Sequence, residues 1–354
     1  MQSTPSFRSL VRRGRFAPSP VVGVALLASL PAFHATAQHQ SLAFTGGVLL
    51  NTSVNFRGLG GHSTSSQPGP ATGGAIDRTY DNGYNRVDAT GNADGTTVNY
   101  GYRTTSQLGA SGVLLTAASA DGSVSLDDAG AFLEPSANLE YRGSLGSWGE
   151  SDWGVLLGIG YQSVNQEVSG SFVTDANLIE DRFSLGTTGR EDLPAAPYSG
   201  TASGTAPRIG SEPNRTLRTA PGARMLTGNW NFNSELIPVT GGLYLEFQVA
   251  GRLNAIVSAG MLAAFVNSDL SYRETSTVGA LPPLTQEASD NSTDFILGGF
   301  AQLGFDWALW EDVSLVAGGR WQPSETFSQS VEGRTVEINF TSAFAVHAGF
   351  SIRF

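Results

Sequence analysis

Apolar and polar residues alternate with a period of two in eight stretches of the chain. That period marks strands, because successive side chains on a strand point to opposite faces. The clearest stretch is the last: Phe344, Val346, Ala348, Phe350, Ile352 and Phe354 share one side. Ala345, His347, Gly349, Ser351 and Arg353 share the other. The first strand is predicted over Leu42 to Phe56, with Val54 and Phe56 on its apolar side and Arg57 on the other. The second, Leu133 to Gly143, sets Leu139 and Tyr141 against Glu134, Glu140 and Arg142; the third runs from Trp153 to Val168. The fourth, Ile237 to Arg252, opposes Leu243, Leu245 and Phe247 to Glu246 and Arg252. The fifth, Ala255 to Tyr272, keeps its alternation to Phe265 and then changes parity near Val266, which predicts a bulge. The sixth, Phe295 to Leu309, places Leu303, Phe305 and Trp307 against Asp306, and the seventh, Val313 to Gln322, carries Arg320 on its polar side.

Links between these strands alternate in length. Short ones join strands two and three, four and five, and six and seven. Long ones are expected at 58–132, 169–236, 273–294 and 323–340. An up-and-down barrel sorts its links in this way, short turns at one rim and long loops at the other. The alternation in Thr97 to Arg103, Phe172 to Phe183 and Leu226 to Phe232 leaves ten or twelve strands open as an alternative. The other reading of these segments is that they prolong the hairpins above the membrane.

The N-terminus changes the setting. Arg8, Arg12, Arg13 and Arg15 precede an apolar run from Val21 to Leu30, and Ala35-Thr36-Ala37 supplies small residues for cleavage. Residues 1–37 therefore read as a secretory signal peptide, and 38–354 as the mature chain. Pro31 and His34 interrupt the run too early for a membrane anchor, which needs about 20 apolar residues. The chain holds no cysteine, 44 glycines and only 14% charged residues. Without the four leader arginines, 16 arginines face 31 acidic residues, a net charge of about −15. Such a surface excludes nucleic acid as a partner. In hydrocarbon every backbone amide needs an internal partner, so a chain with no helix-length apolar run can span a bilayer only as a closed barrel.

A closing strand with Phe344, Phe350, Ile352 and Phe354 on one side resembles the last strand of bacterial outer-membrane β-barrels. The layout is similar to small up-and-down barrels of the OmpA/OmpX kind. The segment Tyr80-Asp81-Asn82-Gly83-Tyr84, Val87-Asp88, Gly91-Asn92 and Thr97 to Tyr102 resembles a stretch of uncharacterised barrels of the same membrane. The resemblance implies an all-β antiparallel transmembrane barrel in the outer membrane of a Gram-negative-type bacterium. It also implies outer-membrane lipids as surroundings and the barrel-assembly machinery as the reader of the terminal strand.

With apolar sides toward lipid, Arg57, Glu134, Glu140, Arg142, Glu246, Arg252, Asp306, Arg320, His347 and Arg353 are expected to face the lumen. Eight strands enclose a space that side chains can fill. Unpaired charge there is costly, so these groups should pair and plug the bore; twelve strands would leave it open. The chain is expected to be a non-enzymatic scaffold for its outer loops, the alternative being a small-solute diffusion channel. An enzyme would need a positioned acid–base or nucleophile set. His39, His62 and His347 form no recognisable triad, so catalytic residues, cofactor and metal are expected to be absent. Asp81, Asp88, Asn92 and Asp94 miss the EF-hand calcium pattern, and turn chemistry accounts for them. A lipid-modifying enzyme or an adhesin is the remaining alternative.

Overall fold

The computed structural model describes residues 39–62, 68–72, 76–87, 92–93, 95–127 and 133–354. The signal peptide expected at 1–37 lies outside the described residues, as do Asp88 and Asp94.

Eight long strands form the wall: β1 (Gln40–Leu50), β2 (Glu134–Trp148), β3 (Ser151–Phe183), β4 (Pro213–Ala250), β5 (Leu253–Val278), β6 (Leu284–Ala308), β7 (Val313–Trp321) and β8 (Phe344–Arg353). Each pairs antiparallel with the next in sequence. The last returns to the first, with Phe44 opposite Phe350 and Leu42 opposite Ile352, so the pairing closes on itself. The β2–β3 turn is tighter than the Ser144 to Asp152 link that the sequence suggests, and the β4–β5 turn keeps its two residues but falls two positions earlier than Leu253 and Asn254. β2 continues to Trp148 and turns at Gly149-Glu150; β4 turns into β5 at Gly251-Arg252. Gly149 and Gly251 take φ of 64° and 54°, the left-handed backbone that two-residue hairpin turns demand and that glycine adopts without a Cβ clash.

Wall height is uneven. β7, β8, β1 and β2 have 9, 10, 11 and 15 residues, whereas β3, β4, β5 and β6 have 33, 38, 26 and 25. Much of what was expected as loop at 169–236 and 273–294 is therefore strand. β3 and β4 stay paired out to Phe183 opposite Pro213, and β5 and β6 out to Ser276 opposite Leu284. Within 58–132, the strand Gly112–Ser119 adds to the outer end of β3.

The expected bulge near Val266 is not there: β5 keeps continuous register with both neighbours through Val266. What changes is the chemistry of the two faces. Val257, Met261 and Phe265 point outward and are exposed, whereas Leu262, Val266 and Leu270 point inward and are buried. Beyond Phe265 the outward positions become Asn267, Asp269, Ser271 and Arg273. β4 inverts at the same level, from Ile237 to Glu235 on its outer face, and Ile237 pairs with Phe265.

The inward apolar residues of the tall strands have a partner. A second sheet, in the order Val124–Leu126, Ser53–Leu59, Arg334–Asn339, Phe327–Val331, lies against them. Its Val54, Phe56, Leu59, Phe327, Val336 and Ile338 join Trp230, Phe232, Leu236, Val266 and Leu270 in one buried core. The first predicted strand is thus two. Wall pairing stops at Leu49 and Leu50; Asn51 takes a φ of 60°, and the chain turns into this inner sheet. Val54 and Phe56, expected to face lipid, are buried in its core instead.

Candidate functional site

Within the lower wall, inward side chains meet as a charge-balanced cluster. Three arginines, Arg142, Arg320 and Arg353, interleave with three carboxylates, Glu140, Glu246 and Asp306. Arg320 donates to Glu140 at 2.7 Å and to the Gln302 Oε1 at 2.6 Å, and its guanidinium lies 5.2 Å from the Phe300 ring centroid. Arg142 donates to Asp306 at 3.3 Å and stands 3.6 Å from Glu246. Arg353 pairs with Glu246 from the last strand, so β8, β2, β4 and β6 are tied across the bore. Ser351 donates to Asp306 at 3.1 Å, and Gln322 to Gln162 at 3.2 Å. His347 stands among these groups, and with Thr45 and Asn138 it lines two voids of about 20 Å³ each. A void of that size holds about one water.

Three expected members of the cluster lie elsewhere. Arg57 sits on the inner sheet, half exposed, where it donates to Glu337 at 3.0 Å. Its strand leaves the wall at Asn51, which carries it out of the bore. Arg252 is in the β4–β5 turn and exposed, reaching only the Leu309 carbonyl at 3.5 Å. Glu134 is buried and inward but accepts only the Asn165 backbone amide, at 3.4 Å, with no arginine beside it.

The sequence reading missed a second closure. Glu274, buried on β5, accepts the Gly60 N–H at 3.0 and 3.1 Å, the Trp230 Nε1–H at 2.7 Å and Arg334 at 2.7 Å. Arg224 donates to Ser276 at 2.6 Å and to the Gly60 carbonyl. These bonds fasten the inner sheet to the tall wall. The change of face chemistry near Val266, which in the sequence alone looks like a parity slip, is the signal of this layer.

Further out, Asp181 is fully buried and accepts Tyr80 at 2.5 Å and both donors of Arg215, at 2.8 and 2.6 Å. Burial, then the carboxylate, pushes the Tyr80 hydroxyl well above its ordinary range. Tyr100, Tyr102 and Tyr198 cluster with ring centroids 5.2–6.2 Å apart. His62 lines a cleft of about 270 Å³ with Asp81 and Ser276, yet makes no hydrogen bond to either. Burial and the nearby Arg224 lower its pKa, and Asp81 Oδ2 already accepts the Ala118 N–H at 2.8 Å. His39 lies just before β1, exposed. Among the described residues no group of three or more His, Asp or Glu side chains could hold a metal.

The outer face decides the setting. Phe44, Trp153, Leu157, Leu243, Phe265, Leu297, Phe305, Trp307, Trp321 and Phe350 are all exposed, on seven of the eight wall strands. Phe344, Ile352 and Phe354 join them. Water would make this belt prohibitive, since exposed apolar patches on soluble monomers stay within a few hundred Å². From Trp153 to Tyr161 it takes about nine residues of β3, the length with which a tilted strand crosses the hydrocarbon core. The fold is a transmembrane β-barrel. Among solved structures the barrel is similar to the outer membrane protease OmpT of Escherichia coli, at 9% identity over 90% of this chain and 98% of that one, with a TM-score of 0.32. It is also similar to Ail, the attachment invasion locus protein of Yersinia pestis, at 9% identity over 89% and 98% of the two chains, with a TM-score of 0.23. The toluene transporter TodX of P. putida matches at 11% identity over 88% and 89%, with a TM-score of 0.15. Likeness at this level carries nothing about activity. No family model matches the chain, and no curated protein does.

Proposed function

We propose that the protein is a non-conducting, non-enzymatic barrel of the outer membrane of a Gram-negative-type bacterium, whose task is to hold a rigid outer structure above the lipid. The observation that carries this reading is the double closure of the bore: an ionic tier within the belt and an apolar inner sheet above it. Two water-sized voids are a poor start for a diffusion channel. Among the described residues no histidine is hydrogen-bonded to a carboxylate or nucleophile, so His39, His62 and His347 lend the enzyme alternative no support. In this reading residues 1–37 are a cleaved signal peptide. Phe344, Phe350, Ile352 and Phe354 then present the terminal strand to the assembly machinery and afterwards to lipid.

Conductance in a planar bilayer tests the reading. The folded protein is expected to give no discrete openings across the accessible voltage range. Clear, reproducible openings of uniform size would restore the channel alternative.

A further inference from the structure

The outer face just above the belt is unusual in its chemistry. On β3 to β6 the outward positions there carry asparagines 165, 229, 231, 233, 267 and 291, with serines and threonines between them. Cross-strand register places them side by side: Asn165 faces Asn233, Asn233 faces Asp269, and Asp269 faces Asn291. The side chains of Asn165, Asn231, Asn233 and Asn291 make no hydrogen bond to the protein, whereas Asn229 donates to Glu167 at 3.0 Å. Each free amide offers two donors and two acceptor sites.

Charge on this face is one-sided. Glu167, Glu235, Asp269 and Glu287 point outward with it, and the one cation among them, Arg273, stands 3.8 Å from Glu287. A phosphate offers acceptors and negative charge, so this face repels it. A sugar hydroxyl both donates and accepts without charge, which matches amides and carboxylates together.

The height of the band also selects. From Asn267 to Arg273 a strand advances about 20 Å along its own axis, which at the tilt of a membrane barrel is about 15 Å of height. The headgroup layer of a phospholipid bilayer is only about 5–7 Å thick on each side. A lipid whose chains lie against the belt therefore reaches most of this face only if its headgroup is a saccharide. We propose that the amide band above β3–β6 binds the saccharide headgroup of a glycolipid in the outer leaflet. This rests on the bilayer-spanning reading of the belt, with which the band is continuous.

The test compares three lipids with the same acyl chains, digalactosyldiacylglycerol, phosphatidylcholine and phosphatidylglycerol, titrated onto the detergent-solubilised full chain and counted by native mass spectrometry. The digalactosyl lipid is expected to be retained about threefold more than phosphatidylcholine, and phosphatidylglycerol less than either. The triple variant Asn229→Ala/Asn231→Ala/Asn233→Ala should erase the digalactosyl preference while the heat-modifiable gel shift stays unchanged. Asn231→Arg/Asn233→Arg should turn the preference toward phosphatidylglycerol. Equal retention of all three lipids by the parent would overturn the inference and leave the barrel standing. A parent that retains none of them and stays monomeric in plain buffer would overturn the barrel reading itself.

Discussion

Arg320 and Arg57 read alike in the sequence, each an arginine on the polar side of an alternating strand, yet their surroundings differ by an order of magnitude in consequence. Arg320 is 6% exposed, between Glu140 and Gln302. Removing one partner of such a buried pair costs about 3–5 kcal/mol, because the other is left charged and unpaired. Glu140→Ala is therefore expected to lower the urea midpoint of the folded band sharply, while Glu140→Ala/Arg320→Met should lose less than the sum of the two single changes. Arg57→Ala breaks only an exposed pair and should shift stability by about 0–1 kcal/mol. The buried tyrosines carry a pH dependence of defined sign. Burial holds Tyr102 at about 12 and moves Tyr80 and Tyr100 up from the ordinary 10.0 as well. A folded pKa above the unfolded one gives stability that is complete below pH 10 and lost as pH rises through the folded values. Ultraviolet titration of tyrosinate should accordingly show these three groups ionising only as the outer part unfolds, near or above pH 12. A single titration of all nine tyrosines near pH 10 would contradict their burial.

At the scale of the element, the sequence carried the wall well and the mouth poorly. Dyad alternation fixes which side chains share a face whatever their surroundings, so Glu140, Arg142, Glu246, Asp306, Arg320 and Arg353 could be grouped before any pairing was known. It does not say whether the apolar face meets lipid or protein. Val54 and Phe56 look the same in either place, and only the turn at Asn51 separates them from Phe44 and Val48. The apparent slip at Val266 was the same ambiguity: an uninterrupted strand that leaves hydrocarbon must exchange the chemistry of its two sides. Because the chain has no cysteine, single cysteines can test this directly. Fluorophores attached at Met261 and Phe265 should be quenched by lipid-borne nitroxide, and those at Asn267 and Ser271 by a water-soluble quencher. The crossover should fall between Phe265 and Asn267, and at Ile237 and Glu235 on β4.

At the scale of the whole molecule, two closures in series predict a simple logic for conduction. Loosening the ionic tier alone, by Glu140→Ala/Arg320→Ala, should leave the bilayer silent, because the inner sheet still covers the bore. Replacing 327–339 with a short Gly/Ser linker should also leave it silent, because the ionic tier remains. Only the combination is expected to produce steady openings, and openings from the first variant alone would show that the inner sheet does not seal.

Both seals also draw on distant parts of the chain. The wall closes through residues 41–50 against 344–353, and the inner sheet pairs Ser53 with Asn339 and Arg57 with Thr335. Contacts so far apart in sequence form late. A polypeptide stalled before its final hundred or so residues would have neither stopper nor seam. In the reading proposed above, plug and seam therefore arrive together, and a copy that has joined its wall is also one that has stopped its bore.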